Sequence, residues 1–100
     1  MPYIKPFDRE HLDPYINCLG GNVTSVGDIN YVATRVAMQY INRTGLKYAT
    51  LAAVIGTFVC VILELYRRVV AGYENEKIVE NGDVIEYAKT IRSNQERTDC

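Results

Sequence analysis

The side chains best placed to bind a charged ligand lie in the segment ELYRRVVAGYENEK, residues 64–77. Glu64 precedes Arg67 and Arg68 by three and four residues, a spacing that brings the three side chains together on an α-helix. Guanidinium groups donate paired hydrogen bonds to phosphate or carboxylate, so these arginines could bind an anion. The same spacing also fits a surface ion pair without a ligand. The predicted ligand-binding residues are Arg67, Arg68, Tyr66, Tyr73 and Glu64.

Metal-dependent chemistry would need carboxylates that meet at one point. Glu74, Glu80 and Asp83 could serve a helical phosphohydrolase, in which a divalent metal polarises a phosphate. Asn81-Gly82 separates the last two carboxylates, and this dipeptide favours the end of a helix. We therefore predict no metal site, no cofactor and no catalytic residue, and keep the phosphohydrolase as the alternative.

The remaining reactive side chains and the overall charge exclude several classes of function. The three cysteines, Cys18, Cys60 and Cys100, form no C-x-x-C pair, and His11 is the single histidine. Eleven basic and twelve acidic residues give a net charge of −1, which does not favour nucleic acid as a partner. The N-terminus lacks a secretory pattern, so we expect a cytoplasmic protein.

The longest apolar stretch begins at Tyr48 and has no charged residue between Lys47 and Glu64. Its helical spacing predicts a central helix with one broad buried face. The uncharged part has 16 residues, residues 48–63, whereas a membrane span needs about 20, so we predict no membrane insertion. The expected core face contains Leu51, Val54, Ile55, Phe58, Val61, Ile62, Leu65, Tyr66 and Val69.

The opposite stripe of this helix carries the small residues Ala53, Gly56 and Cys60. Small residues at helical spacing allow a second backbone to approach closely. A chain of 100 residues has little material to cover a central helix that is mostly apolar. We therefore predict a homo-oligomer with these three residues at the interface.

We predict an all-α fold, a single helical domain over residues 1–92 built on a long helical hairpin and assembled as a homo-oligomeric bundle. Its parts are an extended arm (1–7), short helices (8–19), a helix (28–43), a long central helix (47–80) and a short helix (83–92), followed by a disordered tail (93–100).

Local signals set these boundaries. Pro14 suits the first position of a new helix, which predicts a break within 8–19. Ser25 and Asp28 have the spacing of a capping box, and Gly45 is suited to a helix C-terminus. Asn81-Gly82 also occurs in hairpin turns, but the flanking apolar residues do not alternate as strands would.

Three stretches of the chain resemble a small family of uncharacterised proteins found in bacteriophages and bacteria. They are the arm MPYIKPFDREHLDPYI, the helix start DINYVATR and the segment LELYRRVVAGYENEKIVENGDV, and the likeness covers residues 1 to about 85. This chain differs in running to Cys100 and in having a more apolar central helix. The matching positions are Tyr31, Arg35, Tyr66, Arg67, Arg68, Tyr73, Glu74, Lys77, Ile78, Glu80, Asn81, Gly82 and Asp83.

The resemblance implies a phage-type accessory protein and assigns no activity to it. We expect a non-catalytic binding protein that acts as an oligomer and captures a small anionic ligand or a host protein. A specific form of this hypothesis is an anti-defence protein that sequesters a nucleotide signal between its subunits. The alternative from another functional class is the divalent-metal-dependent nucleotide phosphohydrolase described above.

Overall fold

The computed structural model describes the backbone of residues 4–98 and the side chains of residues 4–94, and it is all-α. Its elements are α1 (Pro6–Gly20), α2 (Val26–Thr44), α3 (Tyr48–Leu65), a π-helical segment (Tyr66–Val70), α4 (Ala71–Asn81) and α5 (Ile85–Thr98). No strand occurs in residues 4–98. The predicted fold class is therefore confirmed, and the β-hairpin interpretation of Asn81-Gly82 is wrong.

The N-terminal helix starts earlier than predicted and is continuous through Pro14. Lys5 occupies the N-cap position of α1 and Pro6 the first helical position, so the predicted arm is wrong at residues 6 and 7. Residues 1–3 of that arm lie outside the described residues. The predicted break in 8–19 is also wrong. Proline costs a helix one backbone hydrogen bond, and α1 is exposed along its length, so solvent can reach the carbonyl group left without its helical partner.

Residues 25–45 follow their sequence signals closely. Ser25 Oγ accepts a hydrogen bond from the Asp28 amide at 3.1 Å, while Asp28 Oδ2 accepts from the Ser25 amide at 3.2 Å. These two bonds form the predicted capping box at the start of α2. Gly45 ends the helix with φ +122°, and its amide donates to the Ile41 carbonyl at 2.8 Å. A positive φ of this kind favours glycine.

The predicted long central helix is present as a continuous helical segment of 34 residues, Tyr48–Asn81. It contains a π-helical segment that the sequence analysis did not foresee. Gly82 ends the segment at φ +85°, with its amide donating to the Ile78 carbonyl at 2.8 Å. The last helix then extends to Thr98, so the prediction of a disordered tail is wrong for residues 93–98. Residues 99 and 100 lie outside the described part.

The chain divides into two compact units, Met1–Cys60 and Val61–Cys100, within the range for which we predicted a single domain. In the first unit, Ile41 near the end of α2 is 6% exposed and Thr50 near the start of α3 is 8% exposed. These are the two buried residues among those whose side chains are described. The two buried residues flank the connection between α2 and α3, and farther along both helices line an apolar groove.

The predicted core face of α3 is not buried in the single chain. Ile55 is 65% exposed, Phe58 40% and Ile62 64%. An 18-residue window within Tyr48–Asn81 has a mean hydropathy of 2.1 and is 6% buried. By length and composition alone this one helix could cross a membrane, which is weak evidence for a span. The expectation of a buried core face is therefore wrong for the chain by itself.

Candidate functional site

The π-helical segment Tyr66–Val70 lies in the second unit and contains the two arginines predicted to bind a ligand. Its wider turn is visible in the Ala71 amide, which donates to the carbonyl of Tyr66, five residues earlier. An α-helix closes the same bond over four residues. Single π-helical turns inside α-helices occur frequently at functional sites.

A hydrogen bond across this turn joins Tyr66 to α4. The Tyr66 hydroxyl donates to Glu74 Oε2 at 2.8 Å, over a separation of eight residues. In an unbroken α-helix such residues lie about 80° apart around the axis. A π turn contains more residues than an α turn, so a separation of eight residues across it comes close to two whole turns of the helix. The Tyr66 and Glu74 side chains therefore lie on the same face. This hydrogen bond and the nearby Glu74 charge raise the pKa of the Tyr66 hydroxyl.

Glu64, Arg67 and Arg68 form the cluster predicted from their spacing. Glu64 Oε1 lies 2.9 Å from Arg67 Nη2 and 3.5 Å from Arg68 Nη1. The Arg67 and Arg68 side chains are 71% and 60% exposed, whereas that of Glu64 is 22% exposed. Exposed ion pairs of this type stabilise a protein by at most about 1 kcal/mol. The two guanidinium groups are therefore accessible, and the cluster of three carries a net charge of +1.

The structure does not bring all five predicted ligand-binding residues into one set of contacts. Lys77 Nζ lies 5.4 Å from the centre of the Tyr73 ring, a cation–π distance, and 2.9 Å from Glu80 Oε2. Tyr66 contacts Glu74 rather than the arginines. The observed site is thus an arginine cluster at the π-helical segment, with a second group of polar contacts along α4.

An open cavity that the sequence analysis missed lies where α4 turns into α5. Its volume is about 390 Å³, and its lining combines one lysine with two carboxylates and several apolar side chains. The Asn81-Gly82 break was the available signal, because a sharp turn between two helices brings their side chains together. The lining residues are Glu74, Lys77, Ile78, Asn81, Gly82, Asp83, Val84 and Tyr87.

The carboxylates of the phosphohydrolase alternative have separate partners. Glu74 accepts from Tyr66 and Glu80 from Lys77, while Asp83 Oδ1 accepts from the amide of Val84 at 2.7 Å. No group of three or more potential metal ligands occurs in the described part of the chain.

The predicted interface residues lie in the first unit, and all three are exposed in the single chain. Ala53 contributes to the lining of the groove between α2 and α3. A Cβ atom added to Gly56 would meet no atom within 4 Å. The Cys60 thiol is free. The chain itself thus leaves space at Gly56 for a close approach, and the interface stays a prediction.

Comparison with known proteins identifies a family without an assigned activity. A family model described as "Domain of unknown function (DUF6899)" matches residues 1–84. No curated protein and no solved structure matches the chain. The predicted ligand-binding and interface residues all fall within the matched range, which ends before α5 begins.

Proposed function

The chain belongs to this family of unknown function, and we propose from its own residues that it is a non-catalytic protein that binds a small anionic ligand and acts as an oligomer. The ligand site is centred on Arg67 and Arg68. The observation that carries this proposal is that two exposed guanidinium groups share the Glu64 carboxylate on a π-helical turn. An anion with several oxygen atoms can offer both groups further acceptors.

The π-helical segment supports this assignment because such turns are frequent at functional sites and this one is held by a side-chain hydrogen bond. The Tyr66–Glu74 hydrogen bond connects the start of the π-helical segment with α4. Arg67 and Arg68 are the two residues that directly follow Tyr66 in this segment. A ligand there would meet guanidinium groups on a locally fixed backbone, which lowers the entropy lost on binding.

The finer form of the proposal is a phage-type anti-defence protein in the cytoplasm that sequesters a nucleotide signal between subunits. Nucleotide phosphates suit guanidinium groups, and tyrosine rings suit the stacking of bases. Tyr73, beside Lys77, could supply such a ring in each copy. A host protein with exposed carboxylates is the other partner that this arginine cluster would suit.

Calorimetric titration with a panel of nucleotides and with inorganic phosphate tests the proposal. Arg67→Ala and Arg68→Ala should each weaken binding roughly 10- to 100-fold, since hydrogen bonds to charged groups are worth about 1.5–3 kcal/mol. Arg35→Ala is the matched control. Arg35 is also an exposed arginine on a helix, and it contacts Tyr31 at 3.2 Å, but it lies in the other unit. Its replacement should leave affinity unchanged.

Incubation of the protein with the same nucleotides and magnesium tests the alternative. Recovery of unchanged nucleotide after heat denaturation supports sequestration, whereas formation of hydrolysis products identifies a phosphohydrolase. If Arg67→Ala or Arg68→Ala unfolds the protein in the absence of nucleotide, the arginines are structural and this site assignment is wrong.

A further inference from the structure

The end of α4 places an asparagine directly before a glycine whose backbone departs from helical geometry. Asn81 is the last residue of α4, and Gly82 follows it with φ +85° and ψ 160°. Asn81 is also the one asparagine of the sequence that precedes a glycine. Because glycine has no Cβ atom, no side chain on residue 82 shields its backbone nitrogen from the Asn81 side chain. This pair therefore favours attack of the backbone nitrogen on the asparagine amide.

The surroundings leave the Asn81 side chain free to move. Asn81 and Gly82 are both exposed, and a Cβ atom added to Gly82 would meet no atom within 4 Å. The Asn81 amide group has no hydrogen-bond partner among the described residues. Neither a packed neighbour nor a side-chain contact therefore holds this amide away from the main chain.

One backbone hydrogen bond opposes the attack. The Gly82 amide donates to the Ile78 carbonyl at 2.8 Å. The Gly82 nitrogen must lose its proton before it can act as a nucleophile, so this bond protects Asn81 while the last turn of α4 is closed. α4 contains no buried residue, and exposed backbone hydrogen bonds with few buried contacts open without unfolding of the whole protein.

We propose that Asn81 is a site of self-modification whose rate is set by opening of the last turn of α4. The Gly82 nitrogen attacks Cγ of Asn81, the Cγ–Nδ2 bond breaks, and ammonia leaves with the amide proton. Water then opens the resulting succinimide ring. Cleavage of the new Cγ–N bond gives an aspartate, whereas cleavage of the bond between the main-chain carbonyl carbon and the nitrogen gives an isoaspartate. Either product replaces the amide by a carboxylate, and water is the sole co-reactant.

The products alter the corner between α4 and α5. Asn81 and Gly82 both line the cavity at this corner. A new carboxylate adds negative charge at the C-terminus of α4, where the helix dipole disfavours it. An isoaspartate also lengthens the main chain by one carbon atom, which displaces the Gly82 amide from the Ile78 carbonyl. The modification therefore loosens the end of α4, and it does so independently of the proposed ligand site.

Mass spectrometry after incubation of the wild-type protein at neutral pH tests the proposal. Trypsin releases residues 78–89, in which Asn81 is the single asparagine, and residues 69–77, in which Asn75 is the single asparagine. Asn75 is exposed on the same helix but precedes a glutamate, so it is the matched control. Residues 78–89 should convert to the acid several-fold faster than residues 69–77, and Asn81→Gln should abolish this conversion.

Amide hydrogen exchange at Gly82 makes the test quantitative. The same opening exposes the Gly82 amide to base in both reactions. Conversion of Asn81 in the native protein should therefore be slower than in urea by the same factor by which folding slows exchange of the Gly82 amide. Asn81→Asp reproduces the added charge and should speed this exchange, whereas Asn75→Asp adds the same charge within the helix and should leave it unchanged.

Three results would overturn the proposal. Equal conversion of the two peptides in the native protein would show that Gly82 does not direct the reaction. Equal rates in native buffer and in urea would show that the closed turn gives no protection, and conversion in urea alone would show that the turn does not open in the folded protein. If Asn81→Asp and Asn75→Asp exchange alike at Gly82, the loosening of the helix end is wrong.

Discussion

Gly56 provides a sensitive test of whether a second backbone approaches α3. Within the single chain, a Cβ atom at Gly56 and one at Gly72 would both meet open space. Both glycines lie inside helical segments, so in an isolated chain alanine at either position should stabilise the helix by about 0.5–1 kcal/mol. For a domain of this size, 1 kcal/mol raises the melting temperature by about 4–8 °C.

The predicted interface changes this expectation at Gly56 alone. If a second backbone packs against the stripe of Ala53, Gly56 and Cys60, the added methyl group overpacks the contact at a cost of about 1–3 kcal/mol. The gain in helix stability and the cost of overpacking together leave Gly56→Ala between unchanged and about 2.5 kcal/mol less stable. Gly72→Ala keeps its gain and serves as the matched control.

The measurement is thermal unfolding followed by circular dichroism at two protein concentrations, because the melting temperature of an oligomer depends on concentration. We expect Gly72→Ala to melt higher than wild type, and Gly56→Ala to melt at the same temperature or lower. If Gly56→Ala raises the melting temperature as much as Gly72→Ala does, and the mass of the assembly is unchanged, no close contact forms at Gly56.

Three further predictions concern the helix cap and the π-helical turn. Ser25→Ala should destabilise the protein by about 1 kcal/mol in chemical denaturation, because it removes the capping bond to Asp28. Hydrogen bonds from the Thr24 amide and the Ser25 side chain lower the pKa of the Asp28 carboxyl below its ordinary 3.8, so the stabilisation contributed by the ionised carboxylate is present above pH 3.8 and is lost as the pH falls through the lower folded-state pKa. The pKa of Tyr66 is raised, so the pH dependence runs the other way. The hydrogen bond from the neutral Tyr66 hydroxyl stabilises the folded protein below pH 10, and this stabilisation is lost as the pH rises through the folded-state pKa. Ultraviolet titration should therefore show one tyrosine ionising late, and Tyr66→Phe or Glu74→Gln should remove that late step.

The helix ends could be predicted because each depends on a few neighbouring residues. The capping box needs Ser25 and Asp28 at a fixed spacing, and the termini at Gly45 and Gly82 need a residue that tolerates positive φ. Such requirements are local, so the sequence displays them directly. The Glu64–Arg67–Arg68 cluster was predictable for the same reason, since residues three and four apart are neighbours on a helix.

The errors came from features that depend on surroundings. The continuity of α1 through Pro14 depends on exposure of the neighbouring carbonyl, which local preference does not report. Nothing in the composition of YRRVV distinguishes a π turn from an α turn. The apolar face of α3 was predicted to be buried, but it is exposed in the single chain. Apolar periodicity identifies a surface that favours burial and does not specify whether the same chain covers it.

The π-helical segment also changes how the residues of Tyr48–Asn81 correspond to directions around the helix. A π turn contains one residue more than an α turn, so residues after Val70 are displaced by about 100° from where α-helical counting would place them. A helical wheel drawn through the whole segment therefore superimposes two different faces. Deleting one residue within Tyr66–Val70 and restoring α-helical geometry would leave Tyr66 and Glu74 seven residues apart, within about 20° around the axis, so the two side chains would stay aligned. The π turn therefore accommodates one additional residue while Glu74 still shares a face with Tyr66.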